Sequence, residues 1–148
     1  MRHTGSGLAI PDFPTMGGYI LPRFDSNMLS YVNNWRFEHD LPPVILIQIF
    51  IHFIHRLWAL AVIIAVCFLN YQIFKSRTGN RRAISTLYWL DIFLFLQLTL
   101  GALTVLSQKS PVITSVHVVM GAAALGVCVL LSLRMAPLSM VDLKKLLK

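Results

Sequence analysis

Acidic residues are scarce in this chain: six Asp and Glu stand against 13 Lys and Arg, and charged residues make up only 13% of its 148 positions. Soluble globular domains carry about twice that charged fraction, so an ordinary water-facing fold is excluded. Cysteine is nearly absent. Cys67 and Cys128 both sit inside apolar runs, with neither metal-ligand spacing nor the frame of a secreted disulfide scaffold, and read as small buried hydrophobes. The start, "MRHTGSGLAIPDFPTMGG", has no apolar core of the signal-peptide kind. Period-two alternation is missing, which argues against membrane strands, and three strands could not close a barrel. Neither GxxxxGK nor HExxH occurs, so a phosphate loop and a protease-type zinc site have no basis.

What is present is apolar sequence: 56% hydrophobic residues and a mean hydropathy of +0.68. Three stretches are long enough to cross a bilayer as helices, about 20 residues for a hydrocarbon core of about 30 Å. They run from Pro43 to Phe74, from Ser85 to Leu106 and from Pro111 to Leu133. Pro42 and Pro43 suit the start of the first, and Asn70 with Tyr71 its exit. The expected fold class is an all-α integral membrane protein with three transmembrane helices.

The net charge of +7 does not form a nucleic-acid surface, because the cations gather at the ends of apolar segments. "KSRTGNRR" carries four positive charges and no acid, and "RMAPLSMVDLKKLLK" carries four against one, whereas "SQKSP" has a single lysine. The positive-inside rule puts the first two on the cytoplasmic side of a bacterial cytoplasmic membrane and the amino-terminal segment outside. The expected organisation is an external Gly/Pro-containing loop segment over 1–41, a three-helix membrane domain over 42–137 and a basic cytoplasmic tail over 138–148. That tail reads either as a short amphipathic surface helix or as a frayed end.

Several polar groups lie where hydrocarbon makes them costly. His55, in the first span, and His117, in the third, fall at similar depth in the outward halves of different helices. Two imidazoles so placed can ligate a haem iron from opposite sides or form interhelical hydrogen bonds. His52 precedes His55 by three positions and shares roughly its face. Arg56 points about 100° away, toward the interface or a carboxylate. Asp91 is expected to pair with Arg81 or Arg82, and Gln97 to hydrogen-bond a neighbouring helix. Gly101, Ala102, Gly121, Ala122, Ala123, Ala124 and Gly126 form small surfaces that allow close packing. In "TGSGLAIPDFPTMGG", four glycines and two prolines surround Asp12, the signature of a shaped loop.

Three strings in this order, "TGSGLAIPDFP", "HFIHRLWAL" and "QLTLGALTVLSQKSPVITSVHVVMGAAAL", resemble the haem A synthase family of cytochrome oxidase assembly membrane proteins. The resemblance covers most of the chain. It implies part of a four-helix haem-binding bundle, one of two such halves in an eight-helix protein. His55 takes the place of the first-half histidine of the HR motif, and His117 that of the fourth-helix histidine. These two become the expected axial ligands of haem iron, with Arg56 beside a haem propionate and His52 as a supporting group near the chemistry. The cofactor implied is haem, b-type, or haem O as substrate. The activity implied is oxidation of the C8 methyl group of haem O, through a hydroxylated intermediate, to the formyl group of haem A.

The chain departs from the family in places that bear on that activity. His52 stands where the family commonly has a glutamate. Ile10 and Met16 stand where many members have loop cysteines, and Phe13 stands for a tryptophan. The family's first helix and second half have no counterpart here, which a fragmentary or late-started gene model or a compact form that dimerises would each explain. Beside the oxidoreductase stands a second reading, a non-catalytic haem-binding, electron-transfer or haem-handling protein, and a third, a truncated assembly subunit. Partners in keeping with the resemblance are haem, a second copy or complementary membrane half, haem O synthase and cytochrome oxidase assembly factors. The orientation is directly testable: cysteine-labelling scans should find positions 5–30 reachable from outside and 76–82 only after permeabilisation, and the reverse pattern would overturn it.

Overall fold

The computed structural model describes residues 6–75 and 81–135. A 3-10 turn at Ser6–Leu8 is followed by α1 (Ser26–Glu38), α2 (Leu46–Lys75), α3 (Arg81–Leu106) and α4 (Pro111–Met135). The last three are long and apolar enough to cross a membrane. Their outer faces bear it out: Phe68 is 60% exposed, Phe95 69% and Leu125 67%, an uncovered apolar surface that only lipid or another membrane segment suits. The tail over 138–148 and His3 lie outside the described residues, as does the centre of the positive connection.

Helix α1 is a correction, since the sequence reading held the whole of 1–41 to be loop. Its signals are local. The Asp25 carboxylate caps it by accepting from the Met28 N–H at 2.8 Å, and Met28, Val32 and Arg36 recur every fourth residue as its buried stripe. Asp40, at φ 53°, ends it: Leu41 N–H bonds back to Arg36 C=O at 2.9 Å and Asp40 N–H to Phe37 C=O at 3.2 Å, a Schellman stop.

The connection to α2 is extended, so α2 begins at Leu46 rather than Pro43. Asn33 holds that connection with both ends of its amide, donating to Val44 C=O at 3.1 Å and accepting from Val44 N–H at 2.8 Å. Gln48 then reaches back to the Ile45 N–H at 3.0 Å, the second half of a capping box. At its far end α2 runs on past Asn70 and Tyr71 to Lys75. Asn70 donates across to Asp91 Oδ1 at 2.9 Å. Asp91 thus pairs with Asn70 rather than with Arg81 or Arg82: it lies nine residues beyond Arg82, about 14 Å along the same helix and out of side-chain reach. Arg134 of α4 instead closes this end, donating to Arg82 C=O at 3.1 Å and to Thr86 Oγ1.

Two apolar clusters stand at opposite ends. Ala9, Ile10, Met28, Val32, Val44 and Ile49 join the amino-terminal loop and α1 to the start of α2. Val66, Ile73, Ala83, Leu87, Leu90 and Leu131 join the three long helices at the other end. Arg36, only 5% exposed, ties the first cluster together through Nε to Pro42 C=O at 2.7 Å and Nη1 to Leu8 C=O at 2.8 Å. Arg36→Ala leaves both carbonyls unmatched and should cost on the order of 2–4 kcal/mol. Its unfolding midpoint in detergent should fall accordingly, with Arg36→Lys recovering part of the loss.

Candidate functional site

Between the two clusters, α2 stands apart from the α3–α4 pair and leaves a cavity of about 870 Å³. All four residues singled out from the sequence, His52, His55, Arg56 and His117, line it. They differ in what they do there.

His52 is 3% exposed, and its Nδ1 accepts the Ile10 N–H at 3.0 Å. An acceptor nitrogen carries no proton, so the ring is held as the Nε2–H tautomer. One turn further along, Arg56 reaches the same loop from below. Its Nη1 donates to Thr15 C=O at 2.9 Å, and Nη2 to Asp12 C=O at 2.7 Å and Ile10 C=O at 3.5 Å. Its guanidinium also sits 5.6 Å from the Phe13 ring centre, within cation–π range. His52 and Arg56 therefore hold the loop by its backbone, and Phe13, Pro14 and Met16 cover the cavity. His55 opens into the cavity and is exposed.

The loop has its own brace. Gly17 and Gly18, at φ 66° and 81°, adopt a left-handed turn that side-chain-bearing residues resist, and both N–H groups point at Asp12. Asp12 Oδ1 accepts from Gly17 at 2.7 Å and Oδ2 from Gly18 at 2.9 Å. Burial alone would raise the Asp12 carboxyl, but these two N–H groups and the Thr15 side chain outweigh it and hold it below its usual 3.8.

The facing wall is built from a reciprocal arrangement on α3 and α4. A Cβ on Gly101 would lie 3.3 Å from His117 Cε1, and one on Gly121 would lie 2.9 Å from Gln97 Nε2. Each glycine thus makes room for a polar side chain of the opposite helix. Among the described residues, the buried side-chain polar atoms without a hydrogen-bond partner are Gln97 Oε1, Thr114 Oγ1 and His117 Nδ1, and all three residues line this cavity. In His117 Nδ1 is buried without a partner, and the ring lies against the Gln97 backbone. The expected interhelical hydrogen bond of Gln97 is not formed at its oxygen.

The residue that sequence reasoning passed over is Lys109. Helix α3 ends in a Schellman stop of its own, with Lys109 N–H on Thr104 C=O at 2.9 Å and Gln108 N–H on Val105 C=O at 3.0 Å. Gln108 and Lys109 both have positive φ, 52° and 66°. This reversal lays the Lys109 stem across Gly7 and brings its charge to the cavity rim. Only the "SQKSP" string hinted at it; two consecutive left-handed residues without glycine give no sequence signal. Among the described residues no group of three or more His, Cys, Asp or Glu could hold a bare metal ion. A group that brings its own equatorial ligands needs only one or two imidazoles.

Residues 1–129 match the sequence profile of the COX15-CtaA family, described as cytochrome oxidase assembly protein. Two curated proteins named heme A synthase, both from Rickettsia bellii, are similar over 113 residues: 30% identical in strain RML369-C and 29% in strain OSU 85-389. Each alignment takes in 76% of this chain but 30% of the relative, so the chain spans less than a third of the length of the curated proteins it matches. No solved structure matches.

The Asp12 brace predicts a pH response. A carboxyl held below its unfolded value stabilises the fold above that value, and the gain is lost as pH falls through the folded one. The melting temperature of the parent should exceed that of Asp12→Asn at neutral pH, and the difference should shrink as pH drops below 3.8.

Proposed function

The chain belongs to the COX15-CtaA family of cytochrome oxidase assembly proteins, and we propose that the cavity between α2 and the α3–α4 pair is a haem pocket serving haem A formation. The observation that carries the reading is one shared space lined by imidazoles from two helices, His55 and His117. The His117 ring is seated against Gly101, with its Nδ1 buried and unpaired. The cavity volume of about 870 Å³ lies within the range of ligand and cofactor sites, roughly 300–1,000 Å³.

In this reading His55 and His117 would hold the haem iron, and Arg56 and Lys109 bring positive charge to the rim where propionates would lie. Haem bound there supplies redox-active iron; the chain supplies orientation, electronics and a cover against water. The loop segment through Met16 excludes solvent, and His52, with Nδ1 committed to Ile10, keeps the cover in place and directs Nε2–H elsewhere. The loop end faces outward across a bacterial cytoplasmic membrane. The activity proposed is that of a haem A synthase-like protein, converting the C8 methyl group of haem O to the formyl group of haem A. A second copy or a complementary membrane half would cover the uncovered apolar faces, and haem O synthase or other assembly factors would act beside it.

One observation favours a second reading, haem binding or handling without the oxidation. His52 is engaged with the loop backbone, and no carboxylate stands in its place. Spectroscopy on purified membranes separates the roles. His55→Ala or His117→Ala should remove or convert a low-spin haem signal in optical and paramagnetic-resonance spectra, whereas His52→Ala should retain it and change activity or redox poise. Extraction with pyridine-haemochrome analysis would count haem and detect conversion of haem O. Unchanged spectra in both ligand variants would overturn the assignment.

A further inference from the structure

Gln97 is the deepest polar side chain on the cavity wall. It sits four residues inward of Gly101, about 6 Å further from the loop end. Its neighbours at that depth, Leu94, Leu98 and Ile63, are apolar and offer it nothing. The Gly121 backbone presses against Nε2 at a distance that would not admit a Cβ, so the amide is held in place by packing rather than by hydrogen bonds. Oε1 is buried with no partner, which leaves Nε2 as the end of the amide that an occupant of the cavity can reach. An amide end on an apolar wall is costly to leave unmatched once water is excluded, and the group that matches it is one the occupant of the cavity brings.

The chemistry of the amide limits what that group can be. Its end presents an acceptor and a donor side by side, and a half-turn exchanges them. A hydroxyl, both donor and acceptor, pairs with either orientation. On the haem-pocket reading, on which this inference rests, haem B has no hydroxyl on its rim. Haem O has one, on the side chain that carries the isoprenoid tail, next to the ring. The spacing also suits it: His117 meets Gly101, and the step of one helical turn from there to Gln97 is comparable with the distance from a porphyrin's centre to its rim. We propose that Gln97 selects the hydroxyalkyl-substituted haem over haem B by hydrogen-bonding that hydroxyl, with the apolar residues around it receiving the start of the tail.

Optical titration of the purified full chain in detergent with haem O and, separately, haem B tests this without any need for turnover. The parent should bind haem O more tightly. Gln97→Leu and Gln97→Met, similar in bulk but without the amide, should each lose roughly five- to tenfold in haem O affinity. Their haem B affinity should stay unchanged, which also reports an intact pocket. Equal affinity of the parent for the two haems overturns the proposal and leaves the pocket standing. So does an equal loss for both haems in both variants. A parent that binds neither haem overturns the pocket reading itself, and the selection with it.

Discussion

Chain without regular structure can lie against a membrane bundle only where its main-chain polar groups are matched one by one, because hydrocarbon offers no water to do it. The segment over 8–18 meets this condition mostly through side chains, with backbone pairs only at Ala9 and Met16. Arg36 takes the Leu8 carbonyl, Arg56 those of Ile10, Asp12 and Thr15, His52 the Ile10 N–H, and Asp12 those of Gly17 and Gly18. The cavity has a cover for this reason. Two of these groups, His52 and Arg56, flank His55 within a little over one helical turn, so the cover and the cavity wall share one short piece of α2. A cation and an imidazole in an apolar setting, costly in themselves, are offset by the loop they hold.

The rest of the architecture follows from where apolar packing is dense and where it is not. Clusters at the two ends fasten α2 to its neighbours, and between them α2 and the α3–α4 pair part. Polar side chains gather in that gap: three of them leave buried atoms unpaired, while the fastened ends have their polar groups matched by Asn33, Arg36, Asn70 and Arg134. Dense packing and satisfied hydrogen bonds go with structure, and their joint absence marks the site.

Much of this was legible from residue order. Three apolar runs forecast three long helices, because length and hydropathy leave few other options in a bilayer. His52, His55, Arg56 and His117 were each picked out because they are expensive in such runs, and they do line one cavity. What escaped notice depended on weaker or tertiary signals. Helix α1 rests on one cap and a three-residue stripe in a polar setting, too slight to compete with the glycines and prolines before it. Asp91 was assigned by proximity in sequence, yet its partner comes from another helix. Lys109 reached the rim through a backbone reversal that glycine did not announce. The loop-holding role of Arg56 needed the loop's path, which no periodicity encodes.

The facing glycines of α3 and α4 carry a consequence for how those helices find their alignment. Gly101 meets His117 and Gly121 meets Gln97, a large–small pair followed one turn later by a small–large pair. Slide α4 by one turn in one direction and the two glycines face each other, while His117 meets Val105 and Gln97 meets Leu125. Slide it the other way and His117 collides with Gln97, while Gly121 faces Phe93. Either slip leaves a void or a clash, with polar groups against apolar neighbours. Lipid-embedded helices have no strong hydrophobic drive to choose among sliding positions, so this vernier of two glycines is what can tell the right alignment from its nearest competitors.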